Sequence, residues 1–201
     1  SANYFGNLHK KNKNFCTKIY KHYIASTCNI LKSLGININT IPVLDILRYN
    51  TNNIIGHRSF SNNKNTVKEL GKLTIKYLHA NKILGVIKHI PGHGGATSDS
   101  HKKLPKINLD FKKLNQIDFY PFKSSKAKLA MTAHVLFPKI DDRYPVTHSK
   151  KIINGVIRQK LKFKGILISD DISMKALKYD LITNAKRSIA AGCNLALYCS
   201  G

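Results

Sequence analysis

The sequence has no tryptophan, and aromatic residues make up only 8% of its 201 positions. Acidic residues are scarce: 10 Asp and Glu stand against 34 Lys and Arg, a formal charge of +24. No apolar run approaches the ~20 residues a membrane-spanning helix needs, so such a helix is excluded. The opening SANYFGNLHKKNKNF lacks the charged-then-apolar order of a signal peptide. The four cysteines, Cys16, Cys28, Cys193 and Cys199, form no CxxC pair, and no histidines fall at zinc-finger spacing. A disulfide scaffold and a structural zinc site are therefore not expected. Free thiols in a reducing compartment are the expectation.

What is present is a chain with 42% hydrophobic residues, too apolar for a disordered one. Its length suits one domain with a sizeable core. The excess lysines are spread along the whole chain in short runs such as Lys10-Lys11 and Lys112-Lys113. There is no arginine-rich block and no aromatic-basic RNA-binding signature. Lys, Ile and Asn share A/T-rich codons, so genome composition can produce this balance. Nonspecific attraction to polyanions is expected, a dedicated nucleic-acid function is not.

Apolar periodicity predicts helices over 17–34, 66–80, 148–161 and about 174–191, with Thr147 as N-cap of the third. Gly35 and Gly192 are natural stops. Short apolar runs predict strands at 36–44, 83–87, 129–136, 165–169 and 195–198. The runs are continuous rather than alternating, which suggests parallel strands covered on both faces, with helices between them. Four of the five end in polar residues: Asp45, Lys88-His89, His134 and Asp170-Asp171. In parallel α/β folds that edge gathers the active site.

Two segments carry chemistry. Lys88-His89-Ile90-Pro91-Gly92-His93-Gly94 leaves a strand with donors suited to sugar hydroxyls or an anion, and its Gly and Pro residues let the backbone turn sharply. Ser98-Asp99-Ser100-His101 follows. Residues two apart in an extended loop point the same way, so Asp99 can bond the His101 imidazole and raise its basicity for general acid/base work. The other segment is Ser169-Asp170-Asp171-Ile172-Ser173-Met174. A strand-end carboxylate there can serve as a nucleophile or base, or cap the following helix. Spacing alone leaves open which Asp does which.

KHIPGHG, the DSH downstream of it and ISDDISMKAL together resemble the bacterial β-N-acetylglucosaminidases of glycoside hydrolase family 3. IPVLD, IGHRSF and AGCNLALYCSG fit the same family in the same order, over about residues 17–201. The resemblance implies a (β/α)8 TIM-type barrel and retaining hydrolysis of terminal β-linked GlcNAc. The implied substrates are peptidoglycan fragments such as GlcNAc-anhydro-MurNAc and its peptides, cleaved in the cytoplasm during cell-wall recycling. By motif position Asp170 would be the nucleophile, and His101, paired with Asp99, the acid/base. Arg58, Lys88 and His89 would hold the sugar. No metal or organic cofactor is implied, and the partner is a small carbohydrate, with no membrane and no specific nucleic acid.

The sequence departs from the family in three places. A strand ending in Asp-Gln-Glu-Gly-Gly, whose Asp helps bind the sugar, has no counterpart here. His57 precedes Arg58 where an acidic residue is commoner, and Asn194 stands where Asp is common. Five strands fall short of the eight of a closed barrel. Residues 1–201 are thus expected to form a partial barrel domain of the family's N-terminal type, with open sheet edges. The alternatives are an inactive fragment, or a basic module that binds glycan or nucleic acid without chemistry.

Overall fold

The computed structural model describes residues 1–48, 55–96, 98, 100 and 103–200. Five strands, β1 (Ile38–Asn39), β2 (Leu84–Ile90), β3 (Leu129–Thr132), β4 (Ile166–Asp171) and β5 (Leu195–Leu197), form one sheet in sequence order. All neighbours are parallel. The sheet is curled like half a barrel. The helices are α1 (Ala2–Lys11), α2 (Lys13–Ser33), α3 (Lys64–Ala80), α4 (Phe111–Gln116), α5 (Lys150–Ile152) and α6 (Leu181–Ala191). Helix α5 runs on as a π-helical segment, Ile153–Lys160.

Several boundaries differ from those the sequence pattern predicts. Asn12 caps α2 by accepting the Phe15 N–H, so that helix starts four residues early, and α1 precedes it. Helix α1 docks closely: a Cβ added at Gly6 would lie 1.7 Å from the Phe60 carbonyl oxygen. The run 36–44 is not one strand. Pro42 has no N–H to give a ladder, and pairing resumes only at Val43, bridged to Lys88. Ser149, not Thr147, caps α5, because the Thr147 hydroxyl is taken by a buried histidine. Residues 172–179 form turns instead of opening the last helix. The Asp171 carboxylate captures the Ser173 N–H and hydroxyl, and the helix begins only after Asp180, which caps it through the Thr183 N–H.

The sheet has two faces, set by the two-residue side-chain period. Ile87, Ala130 and Leu167 face the helices and join the large core built with residues such as Ile24, Leu78, Phe122 and Ile157. Leu84 and Val86, Leu129 and Met131, Ile168 and Leu197 line the concave face in a second, smaller cluster. Asn194 joins the layers with an amide oxygen that accepts from the Leu167 N–H at 2.8 Å and from Arg158 at 3.0 Å. Both bonds need only an acceptor, so Asn meets the requirement without a charge.

The concave face and both edge strands are incompletely covered. Ile38, Ile166 and Leu195 are each about half exposed, at 45%, 45% and 52%. A contiguous apolar face of this kind drives association. Sedimentation velocity is expected to show species heavier than the 22.6 kDa monomer as concentration rises, with Leu195→Lys shifting the distribution towards monomer. A single monomeric species at every concentration would show that the face is not adhesive.

Candidate active site

The period of two places Lys88 of β2 and Asp170 of β4 on the concave side, above Val86 and Ile168, at the C-terminal ends of their strands. His89 would point away in a regular strand. The β2–β3 register slips between Lys88 and Ile90, and such an irregularity re-aims side chains. Lys88 and His89 therefore both line one small cavity with Asp170, Arg58, His93 and Ser100. Arg58 comes from the 3₁₀ turn Gly56–Arg58.

Asp45 organises this end of the sheet. Its carboxylate is fully buried. One oxygen sits 2.6 Å from His89 Nδ1, and the other accepts the His93 N–H at 2.6 Å. Gly94 lets the loop press against this segment, since a Cβ there would lie 2.1 Å from the Ile46 carbonyl oxygen. Burial alone would raise the Asp45 carboxyl, but His89 and His93 outweigh it and hold it below the usual range. Asp45 thereby fixes His89 with Nδ1–H towards itself and Nε2 towards Asp170, 3.9 Å from the nearer carboxylate oxygen.

Asp170 and Asp171 divide the tasks that spacing left open. Asp171 binds the Ser173 turn. Asp170 faces the cavity, with one oxygen accepting the Asp171 N–H at 3.0 Å. Burial would raise Asp170, yet His89, His134, the Asp171 N–H and Lys88 lower it, so it is ionised at neutral pH. Lys88 is lowered by burial, against the pull of Asp170, and donates to Thr40 at 3.3 Å. Asp99 and His101 lie outside the described residues.

Residues beyond the sequence-predicted set also shape the site. His134 is fully buried beyond the end of β3. Its Nε2–H donates to the Asp171 carbonyl at 2.9 Å, and its Nδ1 accepts from Thr147, which bonds Thr132 in turn. His93 is 3% exposed, and neither ring nitrogen has a partner. Arg48 pairs with the buried Asp118, which burial raises to about 6 despite that guanidinium. Strand-end position signalled Asp45 and His134, and the loop motif contained His93. Nothing local signalled Asp118, which meets Arg48 across 70 residues.

The cavity holds about 100 Å³, well below the ~300–1,000 Å³ of typical small-molecule sites. It is the floor of a site. A wider, largely apolar groove of about 350 Å³ adjoins it, sharing Arg58 and Lys88 and walled by Phe5, Tyr20 and Tyr23. A carboxylate at a strand end, ringed by cations and hydroxyl-binding donors, suits attack at a sugar carbon. Among the described residues no cluster of three metal-ligating side chains occurs.

Comparison with known proteins agrees with this geometry. The sequence model described as the glycosyl hydrolase family 3 N-terminal domain matches residues 14–201. The chain belongs to that family. It is 33% identical over 197 residues to beta-hexosaminidase A of Pseudoalteromonas piscicida, covering 89% of this chain and 33% of that protein. It is 33% identical over 175 residues to the beta-hexosaminidase of Methylobacillus flagellatus, covering 85% and 50%. Among solved structures, NagZ from Neisseria gonorrhoeae in complex with N-trifluoroacetyl-D-glucosamine superposes with a TM-score of 0.90 at 28% identity, over 100% of this chain and 59% of the other. The chain thus spans between a third and about half of the curated relatives it matches.

The buried histidines set a pH dependence. Burial lowers His93 and His148 to about 4, and lowers His134 as well. An imidazole lowered in the folded state stabilises the fold above its ordinary value of about 6.5, and that stability is lost as pH falls through the folded value. His93 and His148 each contribute on the order of 3 kcal/mol by this linkage. Asp118, raised to about 6, acts oppositely between about 4 and 6, but one carboxyl offsets only one histidine. Tm is therefore expected to fall as pH is lowered from 6.5 to 4, and His148→Gln is expected to flatten the slope. A Tm that stays level or rises on acidification would contradict the burial of neutral imidazoles.

Proposed function

We propose that this chain carries the nucleophile half of a retaining β-N-acetylglucosaminidase acting on terminal, non-reducing GlcNAc. One observation carries the reading: an ionised Asp170 carboxylate at a strand end, sharing a cavity with Lys88, His89 and Arg58. In the proposed reaction Asp170 attacks the anomeric carbon as the C1–O bond to the leaving group breaks. His101, oriented by Asp99, gives its proton to the departing oxygen. Water then attacks C1, His101 takes its proton, and Asp170 leaves as a carboxylate. Lys88, His89 and Arg58 hold the sugar hydroxyls.

The substrates in this reading are cytoplasmic peptidoglycan fragments, GlcNAc-anhydro-MurNAc and its peptides. The relatives' greater length and the open sheet support a full (β/α)8 barrel as the working form, with residues 1–201 as part of its domain. Release of p-nitrophenol from its β-N-acetylglucosaminide is expected, and Asp170→Asn is expected to lower it by roughly 10³-fold or more. Equal rates for the two proteins would remove Asp170 from the chemistry. The charge of +24 favours polyanion binding as the second reading. Steep weakening with salt would mark that binding, whereas turnover of a neutral glycoside is indifferent to salt.

A further inference from the structure

Beside the Asp170 cavity lies a separate pocket of about 290 Å³. Ser100 and Met174 line the Asp170 cavity, Ala176 lines the second pocket, and the Ala176 N–H donates to the Ser100 carbonyl at 3.1 Å. The two spaces thus share a wall. Three cations, Lys106, Arg143 and Lys178, stand around the second pocket with Tyr144, Tyr179 and His148. Asp142 is also on its rim. None of the three cations is in an ion pair with a carboxylate among the described residues. Arg187 stacks on Tyr179 at 4.0 Å and on Tyr144 at 5.8 Å, which braces the aromatic wall and adds positive charge behind it.

His148 is the second, independent observation. It is 8% exposed, and its Nε2 is buried with no partner. Its other contact is a hydrogen bond to the Asn184 backbone, and burial lowers the imidazole to about 4. The ring is therefore neutral, with N–H towards Asn184, and Nε2 offers a lone pair. Buried acceptors of this kind are normally satisfied. The pocket thus asks for an N–H or O–H donor at His148 and for negative charge at Lys106, Arg143 and Lys178. A simple inorganic anion meets only the second requirement.

We propose that this pocket binds an amide-bearing carboxylate, of the N-acylated amino acid or short acidic peptide class. The amide N–H meets His148 Nε2 and the carboxylate meets the cations, while the tyrosines pack on the stem between them. The pocket's position beside the sugar floor makes it the seat of a peptide carried on the leaving group. That last assignment rests on the proposed glycosidase reading, but the binding itself does not.

The test is an NMR titration of the chain with N-acetyl-alanyl-glutamate, beside glutarate, which lacks the amide. The peptide is expected to shift His148, Tyr144 and Tyr179 signals and to bind at least about fivefold more tightly than glutarate. Arg143→Gln with Lys178→Gln, both exposed positions, is expected to weaken it by about tenfold or more. His148→Phe is expected to erase the preference over glutarate. Equal affinity for the two probes, an unchanged affinity in the double variant, or shifts confined to Lys88 and His89 would each overturn the proposal. GlcNAc added separately reads the other cavity. If it leaves His89 unshifted while the peptide still binds, the glycosidase reading fails and this site stands.

Discussion

The buried Asp45 carboxylate is the constraint on which the site depends. A charge removed from water is tolerated only when it is fully bonded. Asp45 meets that requirement with donors from a single loop, the His89 ring and the His93 backbone N–H. The electrostatic demand of one residue thus decides the path of the chain from 88 to 94. Gly94 makes the path possible, because any side chain there would collide with the Ile46 backbone. The ring that satisfies Asp45 is also the ring that faces Asp170. Folding and function draw on the same imidazole, and removing the Asp45 charge would release both the loop and His89.

The placement of Asp170 has a different origin. It follows from strand parity on β4 and is secured from behind by His134. With Nε2–H given to the Asp171 carbonyl, Nδ1 must accept, so Thr147 must donate to it and in turn accepts from Thr132. Hydroxyls and imidazole are locked in one donor direction, and each buried polar group is satisfied. This network explains why Thr147 is unavailable to cap α5 and why Ser149 does so. It also holds the peptide between Asp170 and Asp171 while Asp171 grips the following turn.

Much of this was legible in the residues. Continuous apolar runs predicted five parallel strands, and polar strand ends predicted where they converge. The exchange of duties between Asp170 and Asp171 was not legible, because it depends on which carboxylate reaches Ser173 once the strand has ended. The break at Pro42 and the turns over 172–179 were missed for a related reason. Periodicity counts apolar positions, but Pro42 removes a donor and Asp171 captures a backbone N–H, and both override the count. His89 was correctly singled out by its motif, yet strand parity alone would aim it away from the site. Only the register slip after Lys88 turns it inward.

The field around Asp170 bears on both halves of the proposed reaction. Lys88, His89 and the Asp171 N–H stabilise the carboxylate, which keeps it ionised but also makes it a weaker nucleophile. In the glycosyl-enzyme that negative charge is gone, and the same cations face a neutral ester. Their stabilisation returns only when the carboxylate leaves, so the field that slows attack favours release. A retaining mechanism needs the two steps matched, since the slower one sets turnover. Burial lowers Lys88 and so limits how strongly it can hold the carboxylate. An exposed, unperturbed lysine would be a fully charged but solvent-screened partner. A half-desolvated lysine beside a fixed imidazole gives a field that is strong at short range and confined to the cavity. Such a field acts on the one carboxylate that changes charge during the reaction, and it leaves the chain's large surface charge without influence on the chemistry.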